Sequence, residues 1–187
     1  MPMFQSLKNR LSRFSRDECG TVMVEVVLTL PILFLVVALT YEFYEIHRYN
    51  SARDKATYTV ADMISREMAP VDDTYIDNTK ALFDSVANDS APTQIRVTVI
   101  KYDADQDQYS VAWSAVRGTG NMPVLTTDLV RDRHSELPNM GDGEEIILVE
   151  SESDYQPMFD VGFGDGVSVV TRMITSPRFA PQVVWDS

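Results

Sequence analysis

Few residues in this 187-residue chain could carry chemistry, and one of them stands where a charge is least welcome. Glu25 lies inside an otherwise apolar run, and no further charged side chain follows it until Glu42. A lone carboxylate among apolar helices is costly without a partner, so its presence in such a run points to a paired or functional role. The other candidates are weaker. Asp103, Asp105 and Asp107 have the alternate spacing that opens a calcium loop, but Gln108 stands where the EF-hand needs Gly and Ser114 where it needs Glu. The three acids read as a solvated hairpin tip, with an irregular calcium site involving Asp142 or Asp165 left open. His47 and His134 are far apart and lack metal-ligand spacing. No nucleophile motif, phosphate loop or Cys–His pair is present, and nothing makes the acidic pair Glu144–Glu145 converge in a cleft. The expectation is a chain without catalysis, without a cofactor and without a metal site.

The element that must position Glu25 is the run itself. Val22 to Tyr41 covers roughly 20 residues, about 30 Å as a helix, which matches the hydrocarbon core of a bilayer. A soluble protein would have to wrap such a helix on all sides, and the remaining chain is small and acidic. Lys8, Arg10, Arg13 and Arg16 precede the span. Positive flanks stay cytoplasmic, so the N-terminus is expected inside and the bulk of the chain outside. A secretory signal is cut after its apolar core, but Ala38-Leu39-Thr40 is a poor cleavage site. Cys19 is no lipoprotein cysteine, because Arg16-Asp17-Glu18 replaces the apolar residues such a site requires. The net charge is −12, and the basic leader leaves an even more acidic remainder. That charge disfavours nucleic acid and anionic lipid as partners. With Cys19 the sole cysteine, no internal disulfide can form, and the exported part must hold together by burial and hydrogen bonding.

The junction is more specific than its composition. Arg16-Asp17-Glu18-Cys19-Gly20, then Val24-Glu25, Leu30-Pro31 and Glu42-Phe43, resembles the TadE/TadF minor pseudopilins of the tight adherence (Tad/Flp) pilus system. Ala56, Val60 and Ala61 to Ser65 fit that pattern, and Ser176 to Pro181 is weakly similar to the family's closing segment. The likeness covers roughly residues 10 to 68 well and the rest loosely. Val26 stands where major pilins carry an aromatic, and Thr21 where secretion pseudopilins carry Phe or Met. Both departures favour a minor pseudopilin.

The resemblance implies cleavage between Gly20 and Thr21 by a prepilin peptidase of the bacterial inner membrane. The new α-amino group, with a reference pKa of about 7.7–8.0, would be largely cationic near neutrality. In related pilins the acid at the position of Glu25 is thought to pair with a subunit's amino terminus during assembly. The alternative is that Glu25 sits at headgroup level. Pro31 removes a backbone hydrogen bond and kinks or loosens the helix, either to let the segment bend or simply because membrane helices tolerate proline.

The helix is expected to run from Thr21 to Met68, with Tyr49, Ala52, Ala56, Val60 and Met63 facing a domain and Arg53 among the residues on other faces. Ala69-Pro70 stops it. A second helix is expected over Thr74–Ala87, with Ile76, Leu82, Phe83 and Val86 inward, and a third over Thr127–Glu136. Ile95, Val97 and Val99 alternate, as do Tyr109, Val111 and Trp113, across a hairpin. Strands follow at Glu145–Glu150 and Val167–Thr175, separated by a loop at Gly162–Gly166. The expectation is an α+β chain with a long transmembrane spine helix and a small domain holding a mostly antiparallel four-stranded sheet. Its parts are a leader (1–20), the span and spine (21–68) and an acidic extracytoplasmic domain (69–187). The function expected is a structural pilus-assembly subunit whose partners are the peptidase and other pilin subunits. The rival is an unprocessed single-pass protein with a sensing or adhesin domain.

Overall fold

A computed structural model describes residues 12, 18–88, 91–159 and 166–186. The elements in order are α1 (Glu18–Ser65), α2 (Asp73–Ala87), β1 (Thr93–Asp103), β2 (Gln108–Gly118), a one-turn α3 (Thr127–Val130), β3 (Glu145–Tyr155) and β4 (Val167–Thr175). The fold is α+β. Two compact units divide inside α1, at Met1–Tyr44 and Glu45–Ser187.

In the second unit the four strands form one antiparallel sheet of order β2-β1-β3-β4. Both faces of its centre are covered, which explains why Ile146 to Val149 is apolar without alternation. On one face Ile95, Val97, Val99, Ile147 and Val149 pack with Ala56, Val60 and Ile64 of α1 and Ile76 and Phe83 of α2. On the other, Ile100, Tyr109, Ile146 and Leu148 meet Leu125, Val130 and Leu137 from the β2–β3 connection.

α2 starts one residue before the expected Thr74, with Asp72 as N-cap accepting from the Tyr75 N–H at 2.7 Å. Its buried residues are Ile76, Thr79, Phe83 and Ala87, whereas Val86 is exposed and Leu82 only partly covered. Two departures are larger. The expected third helix stops at Val130, because the chain then bends in successive tight turns that drop Leu137 into the second core. The expected face of β2 also divides. Val99 pairs with Trp113 and Ile100 with Val111, which leaves Ala112 as an extra residue. This bulge sends Trp113 to the helix-covered side, while Tyr109 and Val111 face the other. Strict alternation would have put all three together.

Gly118 closes β2 with φ +96, where an added Cβ would lie 2.0 Å from the Thr93 carbonyl oxygen. The C-terminal segment straps the helix layer. Arg178 N–H donates to the Ser65 carbonyl at 2.7 Å, Val71 exchanges backbone bonds with Val184 and Asp186, and Trp113 Nε1 donates to the Val183 carbonyl at 2.7 Å. Of the loop expected at Gly162–Gly166, residues 162–165 lie outside the described residues, as do most of the leader and Asp165.

Candidate functional site

Gly20, Thr21, Glu25 and Pro31 all lie on α1, in the first unit. α1 is described from Glu18, ahead of the expected Thr21, so the Gly20–Thr21 peptide lies on the helix. A Cβ placed on Gly20 would meet nothing within 4 Å, so packing inside the chain does not explain the glycine.

The Glu25 side chain is exposed on the helix surface, and no hydrogen bond or ion pair reaches its carboxylate among the described residues. Around it the surface is apolar: Val22, Met23, Val24, Leu28, Ile32, Leu33 and Phe34 are all at least 58% exposed. Each such side chain gains roughly 1.5–3 kcal/mol on full burial, so water is a poor neighbour for this surface. The helix is long and apolar enough to cross a membrane. Two hydroxyls along it bond the helix's own backbone. Thr29 Oγ1 donates to the Glu25 carbonyl and Thr40 Oγ1 to the Val36 carbonyl, each at 2.8 Å. Pro31 lies inside the helix without ending it. Its missing N–H leaves the carbonyl one turn earlier without that donor, a local weakness rather than a break.

In the second unit, residues that the sequence left on the surface are buried. Arg53 has no exposure, and its Nε donates to Ser153 Oγ at 2.5 Å while the guanidinium lies 3.3 Å from the centre of the Tyr49 ring. One turn on, Thr57 Oγ1 lies 2.6 Å from Thr171 Oγ1, which lies 2.7 Å from Ser151 Oγ. α1 therefore meets Ser151 and Ser153 of β3 and Thr171 of β4 through a polar seam, beside the apolar packing on β1 and on Ile147 and Val149. The signal in the sequence is phase: Arg53, Ala56, Thr57, Val60, Ala61, Ile64 and Ser65 form one stripe at three- and four-residue spacing, shifted by a residue from the apolar stripe.

Across the sheet's other face runs a line of charge. Arg96 bonds Glu150 through Nε at 2.8 Å and Nη2 at 2.5 Å, and gives Nη1 to the Pro123 carbonyl at 2.7 Å. Arg172 continues it to Glu136 at 3.3 Å. Burial pushes the Glu145 carboxyl up, against the Val183 N–H that donates to it at 3.3 Å and the nearby Lys101 charge.

The acidic tip does not assemble as a ligand cage. Asp103 accepts from the N–H groups of Asp105 and Gln106, Asp142 from Ala104, and Asp107 from the Tyr102 hydroxyl at 2.6 Å. Among the described residues no group of three or more His, Cys, Asp or Glu side chains is placed to hold a metal ion. The His134 ring lies tilted against Tyr109 with ring centres 5.1 Å apart, and His47 is exposed. Comparison with known proteins found no matching family model, curated protein or solved structure.

Proposed function

We propose that the chain is a minor pseudopilin of a Tad-type pilus, a structural subunit cut after Gly20 and assembled through its apolar helix. The observation that carries the reading is the order of residues on α1. Gly20 precedes an exposed apolar stretch of α1 in which Glu25, five residues on, is the sole acid before Glu42, and the helix runs on to Ser65. A segment meant only to direct export would not need to be continuous with the core of the exported unit.

The mechanism is assembly. The basic leader holds the N-terminus in the cytoplasm of a bacterial cell, the span lies in the inner membrane, and the acidic unit stands in the periplasm or beyond. Prepilin peptidase cuts the Gly20–Thr21 bond. Cleavage removes the four leader cations and creates an α-ammonium four residues from Glu25. When the helix moves among other pilin helices, the Glu25 carboxylate takes a subunit's ammonium as its partner, because leaving either charge alone in that setting is costly.

Intact-mass analysis of the membrane form, with and without a co-expressed prepilin peptidase, tests the reading. Loss of residues 1–20 only with the peptidase supports it. A chain that keeps its leader in both samples favours an unprocessed single-pass protein with a sensing or adhesin domain.

A further inference from the structure

The sheet ends in β2 on one side and β4 on the other, and the two edges are finished differently. On β2 the following connection caps the backbone: the Tyr109 N–H donates to the Arg131 carbonyl at 3.2 Å and the Val111 N–H to Thr127 Oγ1 at 3.1 Å. β4 lacks such a cap. The Thr119 N–H donates to the Thr93 carbonyl, so odd-numbered residues of β1 bond toward β2 and even-numbered ones toward β3. By alternation across β3, Val170, Arg172 and Ile174 turn their N–H and C=O groups away from the sheet. Among the described residues no hydrogen bond reaches these groups. Exposed edges are normally guarded by proline, lysine, a bulge or a covering segment. β4 pairs with β3 over nine residues without a register shift and holds neither proline nor lysine. Its one charge, Arg172, is drawn to Glu136 at 3.3 Å and Glu150 at 3.9 Å, and Val170 is 64% exposed.

One strand in from Val170, on the same face of the sheet, stands Glu152. One of its carboxylate oxygens is buried without a hydrogen bond, and no ion pair reaches the side chain among the described residues. The polar neighbours are occupied. Gln94, opposite on β1, exchanges bonds of 2.7 and 3.2 Å with the Met122 backbone, and Arg96 and Arg172 both lie against Glu150. A carboxylate oxygen left in this state is costly, and what it lacks is a donor, best a charged one.

We propose that the β4 edge receives an extended segment of a different protein, added as a strand with Lys or Arg facing Val170. The outward backbone groups select a strand, which presents donors and acceptors at the matching spacing. The side-chain row selects the basic residue. Strands lie about 4.8 Å apart, so a residue facing Val170 stands about 10 Å from Glu152 along the row. Lys or Arg spans that gap with its aliphatic stem over Val170 and its charge at the carboxylate. The net charge of −12 favours a basic segment over an acidic one. A second copy is a poorer occupant. It brings the same net charge, and the only basic residue of its β4 is Arg172, already engaged by Glu136 and Glu150.

The test uses the full chain in detergent and a fluorescent peptide as long as β4, alternating threonine and valine around a central lysine. Its outer edge is N-methylated so that it cannot stack on itself, and matched peptides carry norleucine or glutamate at the centre. The lysine peptide is expected to bind at least about tenfold tighter than either control, the scale of one charge-assisted hydrogen bond. It should also slow hydrogen exchange at the Val170 and Arg172 amides. Val170→Pro removes an outward N–H without costing a bond to β3, so it should abolish binding while near-ultraviolet circular dichroism stays as in wild type. Glu152→Gln should bring the lysine and norleucine peptides within about twofold of each other. Val170→Lys, which supplies the cation from β4 itself, should remove the preference as well. Absence of binding, equal affinity for the three peptides, or a lysine preference that survives Glu152→Gln and Val170→Lys overturns the proposal. Self-association of the chain that Val170→Pro removes overturns it in favour of a second copy. Peptide binding does not depend on leader loss, so failure here leaves the pseudopilin reading standing, and failure of cleavage leaves the strand-addition result standing.

Discussion

At the scale of single residues, the charges in this protein fall into three settings with different consequences. Glu25 sits on an apolar helix surface with no partner among the described residues of its own chain. Replacing it with Ala removes a cost in the isolated subunit and a contact in the assembled one. Glu25→Ala is therefore expected to insert normally and to lose most of its co-purification with other pilin subunits. Recovery equal to wild type would show that the carboxylate has no pairing role. Arg96 and Glu150 are nearly buried and hold each other, with side chains 10% and 12% exposed. Removing one partner strands the other, which typically costs about 3–5 kcal/mol. Glu150→Ala should show this as a lower urea midpoint for the full chain in detergent, and a change below about 1 kcal/mol would contradict it. Glu145 is the opposite case, an acid whose pKa burial raises in the folded state. The folded state then binds its proton more tightly than the unfolded state, so stability falls as pH rises from the ordinary carboxyl range through the raised pKa. Glu145→Gln should flatten that part of the stability–pH profile and leave the chain no less stable at pH 7. An unchanged pH slope would rule out this origin.

At the scale of elements, periodicity in the sequence was a good guide where one face was buried and a poor one where two were. The spine helix, the second helix and the Val167–Thr175 strand could all be read from spacing and end signals. Arg53 could not, because an arginine side chain normally seeks water. Its burial depends on Ser153, a residue 100 positions away. The bulge at Ala112 was hidden for a related reason. Tyr109, Val111 and Trp113 are all suited to burial, and only the partner strand reveals that they serve different cores. Deleting Ala112 leaves Val111 and Trp113 adjacent in β2, on opposite faces by simple alternation, so each keeps its own core without a bulge. The deletion should therefore leave the near-ultraviolet circular dichroism of the tryptophans close to wild type. A collapse of that signal would mean that the bulge does more than set the facing of β2. The one-turn α3 shows the limit of helix signals. Good formers up to Glu136 lose to turns that bury Leu137.

At the scale of the whole molecule, the candidate site was legible because its parts are adjacent in the chain. Gly20, Thr21, Glu25 and Pro31 need no tertiary fold to be brought together, and α1 carries them in order. The seam of Thr57, Thr171 and Ser151 was not legible, since it joins residues more than 90 positions apart. The central claim is that the covalent break falls before the apolar helix, leaving that helix as part of the mature subunit. The direct measurement is the N-terminal residue of the mature chain recovered from peptidase-positive membranes. The account predicts a polypeptide that begins at Thr21 and retains Val22 to Tyr41. A mature chain that begins at Met1, or beyond Leu39, would contradict it.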